Sequence, residues 1–254
     1  MSAAKSVRPR RKAPRPRARK ATIGQAELAP YILLSVACDR VVPLPVLDDY
    51  VIGVVNGTMV HQIARSRGLD MDDEALSWLA WGELTDGAGA LKALARHLTS
   101  PWAYLKEKFD FLSSGEEAAK CMGLGLLLDR YLASRKKRRF RLAEAKRLKE
   151  LIDKAISRSA SKFPRAIPRV IKEVGPKLFK EITGLIIQEA KNLRDKSRPA
   201  GADFFDRMGR LLVSSLGPLA EASAKVALIL AEEGAAFAGL AEKSFDELRR
   251  EASF

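Results

Sequence analysis

Apolar residues recur every three or four positions through most of this chain, which is the spacing of one face of an α-helix. No stretch shows a sustained two-residue alternation over β-branched residues, so no sheet is expected. The pattern therefore predicts an all-α fold, a multi-helix bundle. One example is the segment 46–66, whose apolar positions are Leu47, Val51, Val54, Val55, Met59 and Ile63.

Prolines and glycines mark the ends of the first predicted helices. Pro43 and Pro45 separate a helix over 23–39 from the next one, because proline is tolerated at the start of a helix but not in its interior. Gly68 then has the position of a C-terminal cap, and Asp70 that of the following N-cap.

The second half of the chain predicts longer helices. A helical pattern over 116–159 is interrupted at 135–139, where five consecutive basic residues leave no apolar stripe. The helix must break there or project into solvent. Segment 163–174 is also amphipathic, and two last helices are predicted over 203–215 and 218–251.

Two glycines stand four residues apart on the second predicted helix. Gly53 and Gly57 lack side chains and would allow another helix to approach closely. We expect tight helix packing at this point.

Composition divides the chain into a tail and a body. Residues 1–22 contain nine Lys or Arg, no acid and three prolines, so they are expected to form a disordered basic tail. An apolar helical subdomain over 23–112 and a basic-to-neutral long-helix subdomain over 113–254 follow. The alternative is one continuous domain over 23–254.

The net charge of +14 is unevenly distributed. Residues 135–180 contain seventeen basic and four acidic residues, a net of +13. Such clustering predicts a polyanionic partner, either an anionic membrane surface or nucleic acid. The candidate anion-binding residues are Arg135, Lys136, Lys137, Arg138, Arg139, Arg141, Arg165, Arg169 and Lys172.

Three interpretations of this basic segment remain open. On a membrane, the apolar side of 163–174 would enter the headgroup region while its basic side meets anionic lipid. On nucleic acid, the charges and the tail would neutralise phosphates without reading sequence. In the third interpretation the apolar side is part of the core. The candidate membrane-inserting residues are Phe163, Ile167, Val170, Ile171 and Val174.

No residues point to catalysis, a metal or a cofactor. His61 and His97 have no Glu or Cys at metal-ligand spacing, and we expect His61 to be partly buried and hydrogen-bonded. Cys38 and Cys121 stand among apolar neighbours, as small core residues of a protein from a reducing cytosol do. We predict a non-enzymatic protein without an evident small-molecule substrate.

The apolar runs Leu28–Cys38 and Tyr50–Ala64 are shorter than the ~18–20 residues that a spanning helix needs. No secretory signal is recognisable either. A cytoplasmic protein, peripheral at the inner membrane, is the expectation.

Residues 43–85 resemble a helical domain of unknown function. The residues that carry the resemblance are Pro43-Leu44-Pro45, Asp48, Met59, Val60, Ile63-Ala64, Gly68 and Asp70. The domain occurs in YcjF-like bacterial proteins and at the C-terminus of some membrane-associated GTPases, and a similar pattern occurs in the EcsC family. Arg67 stands where these families have an aromatic residue.

Members of these families are helical, lie at or in the bacterial inner membrane and have no established chemistry. The resemblance therefore implies an adaptor or scaffold at the anionic inner face of a bacterial membrane, with a protein partner. The alternative from the charge distribution is a nucleic-acid-binding accessory protein.

Overall fold

The computed structural model describes residues 23–41, 45–83, 113–135, 139–167, 169–170, 201–215 and 220–252. In this part of the chain 86% of the residues are helical, which confirms the all-α prediction. The expected disordered tail, residues 1–22, lies outside the described residues.

Seven α-helices are present in the described part of the chain, and their bounds agree closely with the predicted ones. The basic run after Ser134 ends one helix, and the next begins at Leu142, so the helical pattern over 116–159 breaks there. The helices are α1 (Gln25–Val41), α2 (Pro45–Ser66), α3 (Asp73–Trp81), α4 (Ser113–Ser134), α5 (Leu142–Ser159), α6 (Ala202–Ser215) and α7 (Ala220–Glu251).

The expectation of no sheet is wrong at one small site. Strands β1 (Asp70–Met71) and β2 (Arg139–Phe140) pair in parallel, and the backbone N–H of Asp72 donates to the carbonyl of Phe140 at 3.1 Å. Two-residue strands are too short to produce a visible alternation in a sequence.

The same pairing corrects the predicted start of α3. Gly68 has a φ of 66°, the left-handed conformation expected of a glycine that follows a helix. Asp70 lies in β1 and is not the N-cap, a position that Asp72 occupies.

Helix α4 lies at the centre of the bundle and packs against α1, α2, α5 and α7. Its residues from Ala118 to Asp129 are buried, apart from Lys120. Glycines make this crowding possible. A Cβ at Gly123 would lie 2.4 Å from the Ile156 side chain of α5.

The described helices share a single hydrophobic core. Helix α1 packs against α4 and α7, α2 against α6, and α3 against α5, so described helices from 23–83 contact described helices from 113–252. The division of the body into two subdomains and its alternative, one continuous domain over 23–254, both stay predictions.

Gly53 and Gly57 mark a place of tight packing, as predicted, but aromatic rings fill the space. A Cβ at Gly53 would lie 1.9 Å from Trp81, and one at Gly57 would lie 1.9 Å from Phe205. The two rings contact each other, with centroids 5.6 Å apart. The glycines therefore form a notch in α2 that accepts side chains from α3 and α6.

Candidate anion-binding surface

Helix α5 has a buried side and a solvent-facing side, and three of its basic residues form a row on the latter. Arg147, Lys154 and Arg158 are all exposed. Steps of seven and four residues return to the same side of an α-helix, so the three lie along one line. The buried residues are Ala145, Leu148, Leu151, Ile152, Ala155, Ile156 and Ser159.

Three more exposed basic residues follow the end of α5. The chain passes through a short 3-10 helix (Ala160–Lys162) and a turn at 165–166, and Lys162, Arg165 and Arg169 are exposed there. None of the six makes an ion pair with another described residue. We call this set the basic surface: Arg147, Lys154, Arg158, Lys162, Arg165 and Arg169.

Four members of the basic surface are not among the residues singled out from the sequence. Arg147, Lys154, Arg158 and Lys162 are scattered between acids and apolar residues in the chain. Their helical spacing was the available signal, because it places the first three on the side of α5 opposite its apolar stripe.

Two of the three acids of α5, Glu144 and Asp153, have partners of their own. Asp153 pairs with Lys149, with Lys149 Nζ 2.6 Å from Asp153 Oδ1. Lys146 Nζ stands 4.2 Å from the ring centroid of Trp78, a cation–π contact with α3. The third acid, Glu150, is exposed between Arg147 and Lys154, so the basic surface keeps a net positive charge within the described part of the chain.

Arg135 is a structural residue, and its prediction as an anion-binding residue is wrong. Its side chain is 8% exposed and its guanidinium donates to both carboxylate oxygens of Glu144 and to the carbonyl of Arg139. The guanidinium also lies 5.1 Å from the ring centroid of Phe140. Arg135 thereby joins the end of α4 to β2 and the start of α5.

Tyr131 belongs to the same cluster. Its hydroxyl donates to Glu144 Oε1 at 2.6 Å. Burial, followed by this hydrogen bond, raises the pKa of the Tyr131 hydroxyl to about 12. Tyr131 therefore stays protonated and acts as a donor that helps to hold Glu144 in place.

The other predicted anion-binding residues differ in their surroundings. Arg139 is 67% exposed but its Nε lies 3.3 Å from Asp72 Oδ1, so an acid already faces it. Arg141 is exposed at the residue before α5. The remaining candidates lie outside the described residues: Lys136, Lys137, Arg138 and Lys172.

Two of the predicted membrane-inserting residues are core residues, so that prediction is wrong for them. Phe163 is 7% exposed and its ring stacks edge-on against Phe237 of α7, with centroids 5.4 Å apart. Ile167 is completely buried, and Val170 is half-buried against the core. Ile171 and Val174 lie outside the described residues.

A second arginine, Arg67, forms a buried ion pair. Arg67 donates to both oxygens of Asp129, at 2.7 and 2.6 Å, and the backbone N–H of Ile23 donates to the same carboxylate at 3.0 Å. The Asp129 side chain is fully buried and that of Arg67 is 9% exposed. This pair ties the ends of α1 and α2 to α4.

Arg130 represents an intermediate case, because it is paired but exposed. Its guanidinium lies 2.8 Å from both Glu242 and Asp246 of α7, and its side chain is 42% exposed. The hydrogen bond from Arg130 lowers the pKa of the Asp246 carboxyl. The pair links α4 to α7 at the surface.

His61 is partly buried and hydrogen-bonded, as expected. Its Nε2 lies 3.0 Å from Asp206 Oδ1 of α6, an oxygen that also accepts from Arg65 at 2.9 Å. Burial alone would raise the pKa of Asp206, but the hydrogen bond with His61 and the charge of Arg65 lower it. The cluster joins α2 to α6. Elsewhere, in the core, burial raises the pKa of the Cys121 thiol.

Comparisons with known proteins give no match for this chain, whether among protein families, curated proteins or solved structures. Within the described ranges, no three His, Cys, Asp or Glu residues are grouped so that they could bind a metal. Of the described helices, none has both the length and the apolar character needed to traverse a bilayer.

Proposed function

We propose that the protein is a non-enzymatic helical adaptor or scaffold that binds peripherally to the anionic inner face of a bacterial membrane. The observation that carries this proposal is the basic surface, six exposed basic side chains between Arg147 and Arg169 without an ion pair to a described residue. Each basic residue close to an anionic bilayer contributes about 1 kcal/mol of attraction.

The binding mode is electrostatic. Phe163 and Ile167 are buried in the core, so neither is available for insertion, and the described part of the segment after α5 contributes its charges. Electrostatic attachment of this kind is weakened by salt, because the attraction decays over a Debye length of about 8–10 Å. The resemblance of residues 43–85 to membrane-associated bacterial families also favours a membrane over other polyanions.

Vesicle binding of the full-length protein tests the proposal. We expect retention on vesicles that contain acidic phospholipid and none on neutral vesicles. Lys154→Gln with Arg158→Gln should weaken binding by about 2 kcal/mol, which is roughly thirtyfold.

A matched control removes the same charge elsewhere. Lys225→Gln with Lys243→Gln changes two exposed lysines of α7 and should alter vesicle binding by less than about threefold. Equal losses in the two double variants would mean that net charge, and not the basic surface, drives binding. The absence of any binding to acidic vesicles would contradict the proposal.

Nucleic acid is the second candidate, because the burial of Phe163 and Ile167 leaves charge as the means of attachment. A surface of charge without exposed apolar side chains suits a phosphate backbone as well as a bilayer. Binding to duplex DNA, measured in the same buffers, distinguishes nucleic acid from a membrane as the partner. Steeply salt-dependent DNA binding that is lost in Lys154→Gln with Arg158→Gln, together with no vesicle binding, would replace the membrane proposal.

A further inference from the structure

A groove opens next to the basic surface, between the first turns of α4 and the end of α5. Its volume is about 1200 Å³, and it is lined by Gly115, Glu116 and Lys120 of α4 and by ten residues between Lys149 and Arg169. Helices α4 and α5 meet closely at Gly123 and Ile156. The groove lies beyond this contact, toward the start of α4.

The charges around the groove leave two arginines uncompensated. Lys120 Nζ lies 3.1 Å from Glu116 and 2.6 Å from Glu117, and the Lys149 ammonium is paired with Asp153. The acids that line the groove are thus matched by its lysines. Arg165 and Arg169 line the same groove, are exposed and make no ion pair with a described residue.

The available chemistry fits a phosphate group. Guanidinium groups are planar forks that bind phosphate oxygens through paired, charge-assisted hydrogen bonds. Two of them lie four residues apart, and the hydroxyl of Ser161 lines the same groove as a further donor.

We propose that this groove binds one phosphate monoester, held by Arg165 and Arg169, and that its source is the headgroup of an anionic phospholipid. The assignment deepens the proposed function and rests on it for the source of the phosphate. The rest of the basic surface then supplies attraction without selectivity, while the groove selects phosphate over other anions.

Two kinds of vesicle with matched surface charge test this assignment. One contains phosphatidic acid, which exposes a phosphate monoester, and the other contains oleic acid, which exposes a carboxylate. Because hydrogen bonds to charged groups contribute about 1.5–3 kcal/mol, we expect the full-length protein to prefer phosphatidic acid by roughly tenfold or more.

Two double variants that remove the same charge show which residues produce the preference for phosphatidic acid. Arg165→Gln with Arg169→Gln should lower the preference to less than about twofold, because both phosphate-binding forks are lost. Lys154→Gln with Arg158→Gln, outside the groove lining, should weaken binding to both vesicles and keep the preference. An absent preference in the natural protein, or one that survives Arg165→Gln with Arg169→Gln, would overturn the groove assignment and leave the membrane proposal standing.

Thermal unfolding in the presence of inorganic phosphate tests the groove without any lipid. At constant ionic strength, phosphate should raise the thermal unfolding midpoint of the natural protein and of Lys154→Gln with Arg158→Gln, but not that of Arg165→Gln with Arg169→Gln. If the protein binds no vesicle, the membrane proposal fails, but the shift of the unfolding midpoint still tests whether the groove binds phosphate. A shift that is absent or equal in all three proteins would overturn the groove assignment.

Discussion

Arg135 and Arg147 stand twelve residues apart in one basic segment of the sequence, but the fold treats them differently. The Arg135 side chain is 8% exposed and bonded to Glu144, whereas Arg147 is exposed and has no ion pair with a described residue. The number of neighbouring basic residues does not distinguish them. A carboxylate close in space does, because it satisfies the charge that burial would otherwise leave uncompensated.

Arg67 and Asp129 extend the comparison to the interior of the bundle. Their ion pair is almost completely removed from solvent, and Asp129 also accepts the N–H of Ile23. Internal arginines therefore connect helices, while the arginines of the basic surface are available to a partner. The following experiments test this division.

The largest effect is expected at the buried pair. Asp129→Ala leaves the Arg67 guanidinium without its carboxylate, and broken buried pairs cost about 3–5 kcal/mol. Urea denaturation should show this loss in the free energy of unfolding. Asp153→Ala, which breaks a pair whose acid is 50% exposed, should cost less than ~1 kcal/mol. Similar losses in both variants would contradict the division by burial.

Ile167 and Arg169 test the same division within one segment. Ile167→Ala removes a fully buried side chain and should lower the free energy of unfolding by about 2–5 kcal/mol. Arg169→Ala should change it by less than about 0.5 kcal/mol, because the side chain is exposed. If both variants were equally stable, Ile167 would be a surface residue and insertion into a membrane would again be the better interpretation.

Substitutions at Arg135 and Arg147 should affect different properties. The first should lower stability, and the second should weaken vesicle binding. Arg135→Gln loses charged hydrogen bonds worth about 1.5–3 kcal/mol of unfolding free energy, and the folded fraction should bind acidic vesicles normally. Arg147→Gln should weaken vesicle binding about fivefold, since each basic residue near the bilayer contributes about 1 kcal/mol. Its unfolding free energy should stay within about 0.5 kcal/mol of the natural protein. Vesicle binding that responds equally to both would show that Arg135 also reaches the partner.

The smallest effect is expected at the exposed pair of Arg130 and Asp246. The lowered pKa of Asp246 means that its carboxylate stabilises the fold above its ordinary value of 3.8, and that this contribution is lost as the pH falls through the lower folded value. Asp246→Asn should cost less than ~1 kcal/mol at neutral pH. Urea midpoints measured from pH 7 downward should converge with those of the natural protein in strong acid. A difference that persisted there would point to packing and not to charge.

The helices themselves were predictable because their signals are local. Apolar spacing identified α1, α2, α6 and α7, and five basic residues in succession identified the break between α4 and α5. The pairing of Asp70 with Arg139 was not predictable. It joins residues far apart in the chain and involves too few residues to affect the local pattern.

The candidate site was predictable in its location and not in its members. The excess of Lys and Arg over 135–180 is a property of the sequence, and the basic surface lies within it. Arg135 and Phe163 nevertheless belong to the interior, whereas Arg147 and Lys154 face solvent. Periodicity alone shows that a residue belongs to an apolar or polar side. It does not show what covers that side.

The sequence by itself determined the all-α class, the approximate bounds of α1, α2, α6 and α7 and a concentration of positive charge, because each follows from residues close together in the chain. Only the tertiary structure decided which cations are compensated. Glu144 reaches Arg135 after the turn at β2, and Asp129 meets Arg67 from another helix. The attraction between two charges depends on their separation and on the exclusion of water, and both are set by how the helices pack.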